Sequence, residues 1–213
     1  YMKKDMGGAA CAIALAELIM RSQLPVRLTV MIPAVENNVS ANSMVPGDVV
    51  VTRSGLSVEI TNTDAEGRLI LCDALAYASE SEPDLVVDFA TLTGAARVAL
   101  GPDVVPFYSN NDDLAEGLSD AAEAVDLPFW RMPLYAPYQD YLKSDVADMM
   151  NSADTYFAGS ITAALYLQRF VSAKTPWAHF DIFAWNPVSR PGRPRGGEAE
   201  LVRGVFEHLK TKY

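Results

Sequence analysis

Apolar and polar positions alternate along this chain in segments that predict strands separated by helices. Residues 57–61 alternate with the period of two that is typical of a half-buried strand. Residues 69–78 form an almost wholly apolar run that predicts a buried helix, with Asp64 as a good N-cap. Residues 84–90 and 177–182 are short apolar runs typical of buried strands. This order of elements predicts an α/β protein.

The same pattern predicts the remaining elements, with a hairpin turn at Ser54 and Gly55. Further strands are expected at residues 27–33 (continuing to 38), 49–52, 104–108 and 129–134, and further helices at 11–21, 111–125, 135–143, 158–171 and 201–210. We therefore expect one domain over residues 1–213, a three-layer α/β/α sandwich around a mixed, largely parallel sheet.

A dense polar cluster separates the strand at 57–61 from the apolar helix. It contains Asn62, Asp64, Glu66 and Arg68 within seven residues. One interpretation is a capped helix, in which Asp64 satisfies backbone amides, Glu66 complements the positive helix end and Arg68 is solvated. The other is a metal site, because two carboxylates in one turn can converge on a hard cation while Arg68 binds an anion.

Composition limits the classes of partner and the kinds of metal site. The chain has 213 residues, 17 Lys and Arg against 27 Asp and Glu, and a net charge of -10. This balance argues against nucleic acid or an anionic membrane as a partner. Only His179 and His208 are histidines, so a metal site must consist mainly of carboxylates. We expect His179 to lie in the core or behind the site rather than to bind metal.

The two cysteines and the hydropathy of the chain bear on its location. Cys11 and Cys72 each lie in an apolar helical run, which indicates buried thiols in a reducing compartment rather than a disulfide. No apolar stretch reaches the roughly 18 residues needed to span a membrane, and no signal peptide precedes the first element. We expect a cytoplasmic protein.

The octapeptide at residues 62–69, Asn-Thr-Asp-Ala-Glu-Gly-Arg-Leu, matches the signature of the leucyl aminopeptidases, also called cytosol aminopeptidases. These are metallopeptidases with two metal ions. Residues 5–10, 46–48, 91–95 and 177–181 also resemble segments of that family. The resemblance extends over essentially the whole chain and implies the architecture of the family's catalytic domain.

The resemblance implies a metal site and a catalytic arginine. Asp5, Asp64 and Glu66 correspond to ligands of two divalent ions, Mn²⁺ or Zn²⁺, with Glu66 bridging them. Arg68 corresponds to the arginine beside the metals, where the family holds a bicarbonate that acts as general base. Such a pair of ions activates a water and polarises the scissile carbonyl. The implied activity is release of N-terminal residues, apolar ones preferentially, from peptides.

The resemblance also implies substrate-binding residues and an assembly. Met2 resembles the pocket residue for the first side chain, and residues 91–95 resemble the loop around the N-terminal residue of the substrate. The implied substrate-binding residues are Met2, Asn62, Thr91, Leu92, Gly94 and Ala95. The family implies a homo-oligomer, a hexamer, which exposed-looking apolar residues at 129–134 support weakly.

Some parts of the family pattern are absent from this sequence. A ligand lysine, a shared aspartate and a catalytic lysine, expected upstream of Asp5, are not found. We therefore expect the C-terminal part of a longer chain, without the N-terminal domain and the start of the catalytic domain, and a poor peptidase when made alone. The loop at residues 186–197 also departs from the family pattern.

Two other functions remain open on the residues alone. The fold could be a catalytically dead scaffold or binding protein, although three costly charges kept together argue against a decayed site. It could also be a metal-dependent phosphatase that uses Arg68 to bind phosphate. Metal analysis with tests on a leucine anilide and a phosphate ester would separate these functions.

Overall fold

The structure is a computed structural model that describes residues 2–36, 38, 40–199 and 201–213. Its helices are α1 (Gly7–Arg21), α2 (Glu66–Ser79), α3 (Gly94–Leu100), α4 (Asp112–Ala124), α5 (Gly159–Gln168) and α6 (Leu201–Lys212), with short 3-10 helices at Met2–Met6 and Ala136–Leu142. Its strands are β1 (Val49–Val51), β2 (Ser57–Glu59), β3 (Val86–Ala90), β4 (Val105–Ser109), β5 (Phe129–Arg131), β6 (Met149–Met150), β7 (Trp177–Asp181), β8 (Trp185–Asn186) and β9 (Gly196–Gly197).

The chain divides into two compact units. The first unit contains the residues up to Met31, Val87–Met132 and Pro176–Tyr213, and the second contains Ile32–Val86 and Pro133–Thr175. Each unit is therefore built from segments that are distant in sequence. The prediction of one domain over residues 1–213 stays a prediction.

The first unit is built on a sheet of strand order β3-β7-β4-β5. Strand β4 pairs antiparallel with β7, where Tyr108 faces His179, and parallel with β5, where Pro106 faces Trp130. The sheet is mixed, as predicted. Phe107 and Phe180 are fully buried and stack with ring centroids 5.5 Å apart, so aromatic side chains fill the core here.

Helices cover this sheet with their apolar faces. In α4 the buried residues recur at helical spacing, beginning with Leu114 and Leu118. Asn111 caps this helix, because its side-chain oxygen accepts a hydrogen bond of 2.8 Å from the Leu114 amide. Helix α6 packs against both α4 and α1. The helices predicted at residues 11–21, 111–125 and 201–210 are confirmed.

The second unit contains a sheet of strand order β1-β2-β6. Strands β1 and β2 form the predicted antiparallel hairpin, and β2 pairs in parallel with β6, where Val58 faces Met149. Helix α2 packs against α5, which also contacts the 3-10 helix Ala136–Leu142. The parallel pair brings the chain after β2 beside the chain after β6, because the carboxyl ends of parallel strands lie at one edge of a sheet.

Two predictions about elements need correction. Residues 27–33 do not form a strand, and Leu28, Val30 and Ile32 are exposed. Strand propensity reflects packing against neighbouring strands, and this segment pairs with no strand of the described residues. Asn37, in its predicted continuation, lies outside the described residues. The loop at 186–197 is partly ordered as the β8–β9 hairpin, with Arg190 paired to Asp103 at 2.6 Å.

None of the described helices is both long enough and apolar enough to cross a membrane.

Candidate active site

In the second unit, the segment between β2 and α2 carries Asp64 and Glu66. Asn62 Oδ1 accepts a hydrogen bond of 2.9 Å from the Asp64 amide, which folds the segment into a tight turn. Helix α2 begins at Glu66, three residues before the predicted start, and its N-cap is Ala65 without a side-chain cap. The prediction that Asp64 caps this helix is therefore wrong. Its side chain is exposed and does not satisfy the helix amides.

The carboxylates of Asp64 and Glu66 have no donor in the described part of the chain. Within the described part of the chain, no residue donates a hydrogen bond to either side chain or forms an ion pair with it. Glu66 is half-buried at the first position of α2, where the helix N-terminus favours negative charge. Both carboxylates thus keep oxygen lone pairs that can bind a cation.

Arg68 is the third residue of α2, two positions after Glu66, and is buried, with 7% of its surface exposed. Its Nη1 donates a hydrogen bond of 2.7 Å to the backbone oxygen of Asn151, and its guanidinium lies 5.9 Å from the ring centroid of Tyr166. Tyr166 is held in turn, because its hydroxyl donates to Cys72 Sγ at 3.6 Å. The interpretation of Arg68 as a solvated side chain is excluded by this burial.

Asn151 contacts most of the segment between β2 and α2. It directly follows β6 and has no exposed surface. Its Oδ1 accepts hydrogen bonds from the Thr61 amide (2.8 Å), the Asn62 amide (3.2 Å) and the Thr61 hydroxyl (3.2 Å). Its Nδ2 donates to the backbone oxygens of Asn62 (2.7 Å) and Ala65 (3.5 Å). One buried amide therefore joins both ends of the turn that carries Asp64.

In the first unit, the 3-10 helix Met2–Met6 carries Asp5. Its Oδ1 accepts a hydrogen bond of 2.6 Å from the Thr91 hydroxyl. The N-cap of α1 is Met6, without a side-chain cap, so Asp5 does not cap that helix. Met2 is 70% exposed. The structure thus brings Asp5 and Thr91 together, two of the residues singled out in the sequence.

Glycines allow α1 to lie against β3. A Cβ atom on Gly8 would lie 2.1 Å from the backbone oxygen of Phe89, and one on Gly7 would lie 2.3 Å from the Cβ of Ala184. No side chain fits at either position without movement of the backbone. The two glycines therefore permit the close approach of α1 to Phe89 and Ala184.

The loop after β3 is held by Asp181 at the end of β7. One oxygen of this buried carboxylate accepts hydrogen bonds from the amides of Leu92 (3.2 Å) and Thr93 (2.9 Å), and the other accepts from the Thr93 hydroxyl at 2.6 Å. Thr93 Oγ1 also caps α3, whose first residues are Gly94 and Ala95. The loop predicted to bind substrate therefore has a fixed backbone.

The buried histidine and the cysteines serve the core. His179 has no exposed surface, and its Nδ1 lies 2.6 Å from Asp88 Oδ1, as expected for a core residue. Cys11 and Cys72 are buried free thiols, as predicted. Burial raises the pKa of Cys11 to about 11 and that of Cys72 to about 12, so both thiols stay protonated at neutral pH.

The described residues supply part of a ligand set for a divalent cation. Carboxylate oxygens suit Mn²⁺ and Zn²⁺, and Asp5, Asp64 and Glu66 offer them. Across residues 2–36, 38, 40–199 and 201–213, however, no three His, Cys, Asp or Glu side chains are grouped closely enough to hold a metal. The donor chemistry fits the implied ions, whereas the number of clustered ligands does not reach a complete site.

Sequence reasoning did not identify Asn151 and Asp181 as residues of these loops. Each contacts a loop almost 90 positions earlier in the chain, at sequence separations of 89 for Asn151 to Asn62 and 88 for Asp181 to Thr93. The available signal was the position of each polar residue directly after an apolar strand, where the ends of neighbouring strands meet.

Comparison with known proteins gives one consistent result. The probable cytosol aminopeptidase of Chlorobium phaeobacteroides is 46% identical over 211 residues, which cover 98% of this chain and 42% of that protein. The crystal structure of the cytosol aminopeptidase from Coxiella burnetii superposes with a TM-score of 0.97 at 59% identity, over 100% of this chain and 46% of that chain. The bottromycin maturation enzyme BotP, solved in complex with Mn, gives a TM-score of 0.92 at 41% identity, over 98% of this chain and 47% of its own.

These similarities confirm the α/β fold and are compatible with the predicted three-layer sandwich. The chain spans less than half the length of each of these three proteins. Residues 1–205 match the catalytic domain of the cytosol aminopeptidase family. The resemblance inferred from the octapeptide is thereby confirmed, and the chain belongs to the cytosol aminopeptidase family.

Proposed function

We propose that the protein is a metal-dependent aminopeptidase that releases N-terminal residues, preferably apolar and leucine-like ones, from peptides. The observation that carries this proposal is the pair of carboxylates on Asp64 and Glu66, which have no protein donor among the described residues, next to the buried Arg68. Two carboxylates in one turn offer negative charge and oxygen lone pairs that can converge on one hard cation. The names of the relatives support a peptidase.

We assign the role of metal ligand to Asp5 in the first unit and to Asp64 and Glu66 in the second. Their hard oxygen donors suit two divalent ions, Mn²⁺ or Zn²⁺, and BotP was solved with Mn. Such ions, when bound, lower the pKa of a water and polarise a carbonyl. The hydrogen bond from Thr91 orients the Asp5 carboxylate and leaves its second oxygen available.

Arg68 is the proposed catalytic residue of the chain. Its guanidinium is always protonated and is held by the Asn151 backbone oxygen and the Tyr166 ring, so its direction is fixed before substrate binds. A fixed positive charge in a buried position stabilises negative charge that develops during acyl transfer. The same guanidinium can bind a bicarbonate through paired N–H groups.

The substrate contacts are assigned to the two loops described above. Met2 offers an exposed thioether side chain that can contact an apolar residue of the substrate. In the loop after β3, the amide of Leu92 already donates to Asp181, so we assign to Leu92 a contact through its backbone oxygen, beside contacts through Thr91 and the start of α3. The residues assigned to substrate binding are Met2, Asn62, Thr91, Leu92, Gly94 and Ala95.

We extend the proposal to the assembly and the location of the protein. A homo-oligomer, a hexamer as the family resemblance implies, is supported by apolar surface such as Trp130, which is more than half exposed. A cytoplasmic location is supported by the names of the relatives and by the two free cysteines. No nucleic acid or membrane partner is proposed, because the net charge is -10.

Three substrates separate this proposal from its alternatives. The full-length protein, loaded with Mn²⁺ or Zn²⁺, is incubated with leucine anilide, N-acetyl-leucine anilide and an aryl phosphate ester. An aminopeptidase cleaves only the first, because it needs the free amine of the substrate. Cleavage of the phosphate ester instead would establish a phosphatase, and cleavage of none would establish a binding protein or scaffold.

A further inference from the structure

We infer that Asn151 is a positioning residue, which fixes the loop of Asp64 and Glu66 and the guanidinium of Arg68 through one buried amide group. This inference rests on the proposed function, because it assigns a role toward the same metal ligands and arginine. It concerns residues of the second unit only.

The place of Asn151 follows from the pairing of β2 with β6. Glu59 faces Met150 at the end of this parallel pair, and the Asn151 amide donates to the Glu59 backbone oxygen at 2.9 Å, so the ladder continues for one more residue. The chain after β2 then turns away toward α2. Asn151 stays at the edge of the sheet where β2 and β6 both end. A polar side chain at this position must point into the turn or stay unsatisfied in a buried place.

The side chain of Asn151 matches the backbone groups of that turn. Its single oxygen accepts from the amides of Thr61 and Asn62, and its NH₂ group donates to the backbone oxygens of Asn62 and Ala65. An amide side chain has two N–H donors and an oxygen acceptor. Aspartate of the same size has only acceptors, and leucine has neither. Loss of the side chain would leave part-buried backbone groups of Thr61 and Asn62 and the buried backbone oxygen of Ala65 without this partner.

The backbone of the same residue holds Arg68. Its oxygen accepts the hydrogen bond of 2.7 Å from Arg68 Nη1, a contact between buried groups. The side chain therefore sets the turn that carries Asp64, while the carbonyl sets the direction of the guanidinium. No described residue donates a hydrogen bond to the carboxylate of Asp64 or Glu66, so the positions of both side chains depend on this turn and the start of α2. Groups that orient metal ligands commonly contribute about 10- to 100-fold to metal affinity or activity.

Asp148 provides a matched control on the same strand pair. It accepts hydrogen bonds from the amide (2.8 Å) and the hydroxyl (2.7 Å) of Ser57, at the opposite end of β2. Loss of Asp148 should lower stability without affecting the turn after β2. A milder change to the contacts of Asn151 is Thr61→Val. It removes the hydroxyl that contacts Asn151 Oδ1 and the Ser152 backbone oxygen.

The test compares Asn151→Ala, Thr61→Val and Asp148→Ala in the full-length protein. Calorimetric titration with Mn²⁺ gives the dissociation constant, leucine-anilide hydrolysis at saturating Mn²⁺ gives kcat and KM, and thermal unfolding gives stability. We expect Asn151→Ala to weaken Mn²⁺ binding and to lower kcat, each about 10- to 100-fold. Thr61→Val should change the same two quantities in the same direction by less, and Asp148→Ala should lower only the thermal midpoint.

Several results would overturn the inference. One is an Asn151→Ala protein that unfolds at lower temperature but keeps its Mn²⁺ affinity and kcat. Another is an Asp148→Ala protein that loses Mn²⁺ affinity to the same extent, since the effect would then follow from general loss of stability. Should Asn151→Ala fail to fold, unchanged values for Thr61→Val would decide against the role. If the unsubstituted protein neither binds Mn²⁺ nor cleaves the anilide, the proposed function fails and this inference fails with it.

Discussion

The charged residues of the octapeptide differ in how the protein holds them. Arg68 is buried and fixed by a backbone oxygen and an aromatic ring, whereas the described residues offer Asp64 and Glu66 no donor at all. An arginine held in this way keeps its position when nothing is bound, whereas a carboxylate without donors takes its position from what it binds. The arginine thus has the fixed direction that its proposed catalytic role requires, and the carboxylates are available to a cation.

Arg68→Ala tests this division of roles. We expect kcat to fall by about 10²- to 10³-fold, because one fixed charge that stabilises the transition state is lost. The bound metal should remain, since the guanidinium is not a ligand. Metal content measured by mass spectrometry and steady-state kinetics check this together.

Arg68→Lys is the matched variant. It keeps the positive charge and can still donate to the Asn151 backbone oxygen, but it loses the planar group with paired donors. Its kcat should lie between those of the unsubstituted protein and Arg68→Ala. Loss of metal from either variant would contradict the assignment of Arg68.

Close backbone contact at the start of α1 is the main constraint on the elements of the first unit. We expect Gly8→Ala to lower the free energy of unfolding by about 1–3 kcal/mol, because the added Cβ would lie 2.1 Å from the Phe89 backbone oxygen. Gly94→Ala is the control at the start of another helix, where the nearest atom would be 3.6 Å away. Urea unfolding should show little change or a small gain for Gly94→Ala, and equal effects of both substitutions would contradict the contact.

The packing of α6 on α4 gives a pH dependence of stability. His208 is buried, and burial lowers its pKa below the ordinary value of 6.5. A hydrogen bond to the Gly117 backbone raises the pKa in part, and the positive charge of Lys212 lowers it. The unfolded chain therefore binds the proton more tightly than the folded protein. The contribution of His208 is complete above the unfolded pKa and is lost as the pH falls through the folded pKa.

His208→Gln isolates this contribution. Urea midpoints measured from about pH 7.5 down to about pH 5 should fall less steeply for the variant than for the unsubstituted protein, because the group that titrates in this window is gone. His179 and the carboxylates remain in both proteins, so a difference in the slope of urea midpoint against pH is caused by His208. Identical slopes would show that burial of His208 does not couple to folding.

Most elements of the fold could be predicted from hydrophobic pattern and turn chemistry. Helix α4 and the β1–β2 hairpin occur where the pattern places them, because their signals are local in sequence. The strand predicted at residues 27–33 was wrong, because β-branched residues form a strand only where a neighbouring strand pairs with them. The prediction that Asp64 caps α2 was wrong, because the helix begins at Glu66 with Ala65 as its N-cap and without a side-chain cap, and helix ends are the least certain part of a pattern.

The candidate site could be predicted only at the segments that resemble the family, which include Asp5, Thr91 and the octapeptide. The octapeptide identifies Asp64, Glu66 and Arg68 by their order in the chain. The residues that hold the loops, Asn151 and Asp181, come from strands about 90 positions later, at sequence separations of 89 and 88. Their contacts depend on strand order, which is decided by tertiary pairing rather than by local pattern.

The chain corresponds to less than half the length of each of the three proteins compared above. It spans 42% of the Chlorobium phaeobacteroides relative and 46% of the Coxiella burnetii chain, and its match to the family ends at residue 205. Activity is therefore a proposal for the full-length protein. The roles of single residues can be tested on metal binding as well as on turnover.

The assembly of the full-length protein is a prediction at this scale. Light scattering at micromolar concentration should give a mass several times that of one chain, and we expect a hexamer. Exposed apolar residues such as Trp130 would then be covered by neighbouring subunits, because surface of this kind is unfavourable in water. A monomer at micromolar concentration would contradict this prediction.

The most direct test of the central claim is the metal dependence of leucine-anilide hydrolysis by the full-length protein, measured together with the metal content. Chelation should remove the ions and the activity, and addition of Mn²⁺ or Zn²⁺ should restore both. Glu66→Ala should lose metal and activity by at least about 100-fold, whereas Glu17→Ala, which removes only an exposed ion pair with Arg21, should behave like the unsubstituted protein. Equal activity in chelated and reloaded protein, or full metal content in Glu66→Ala, would contradict the account.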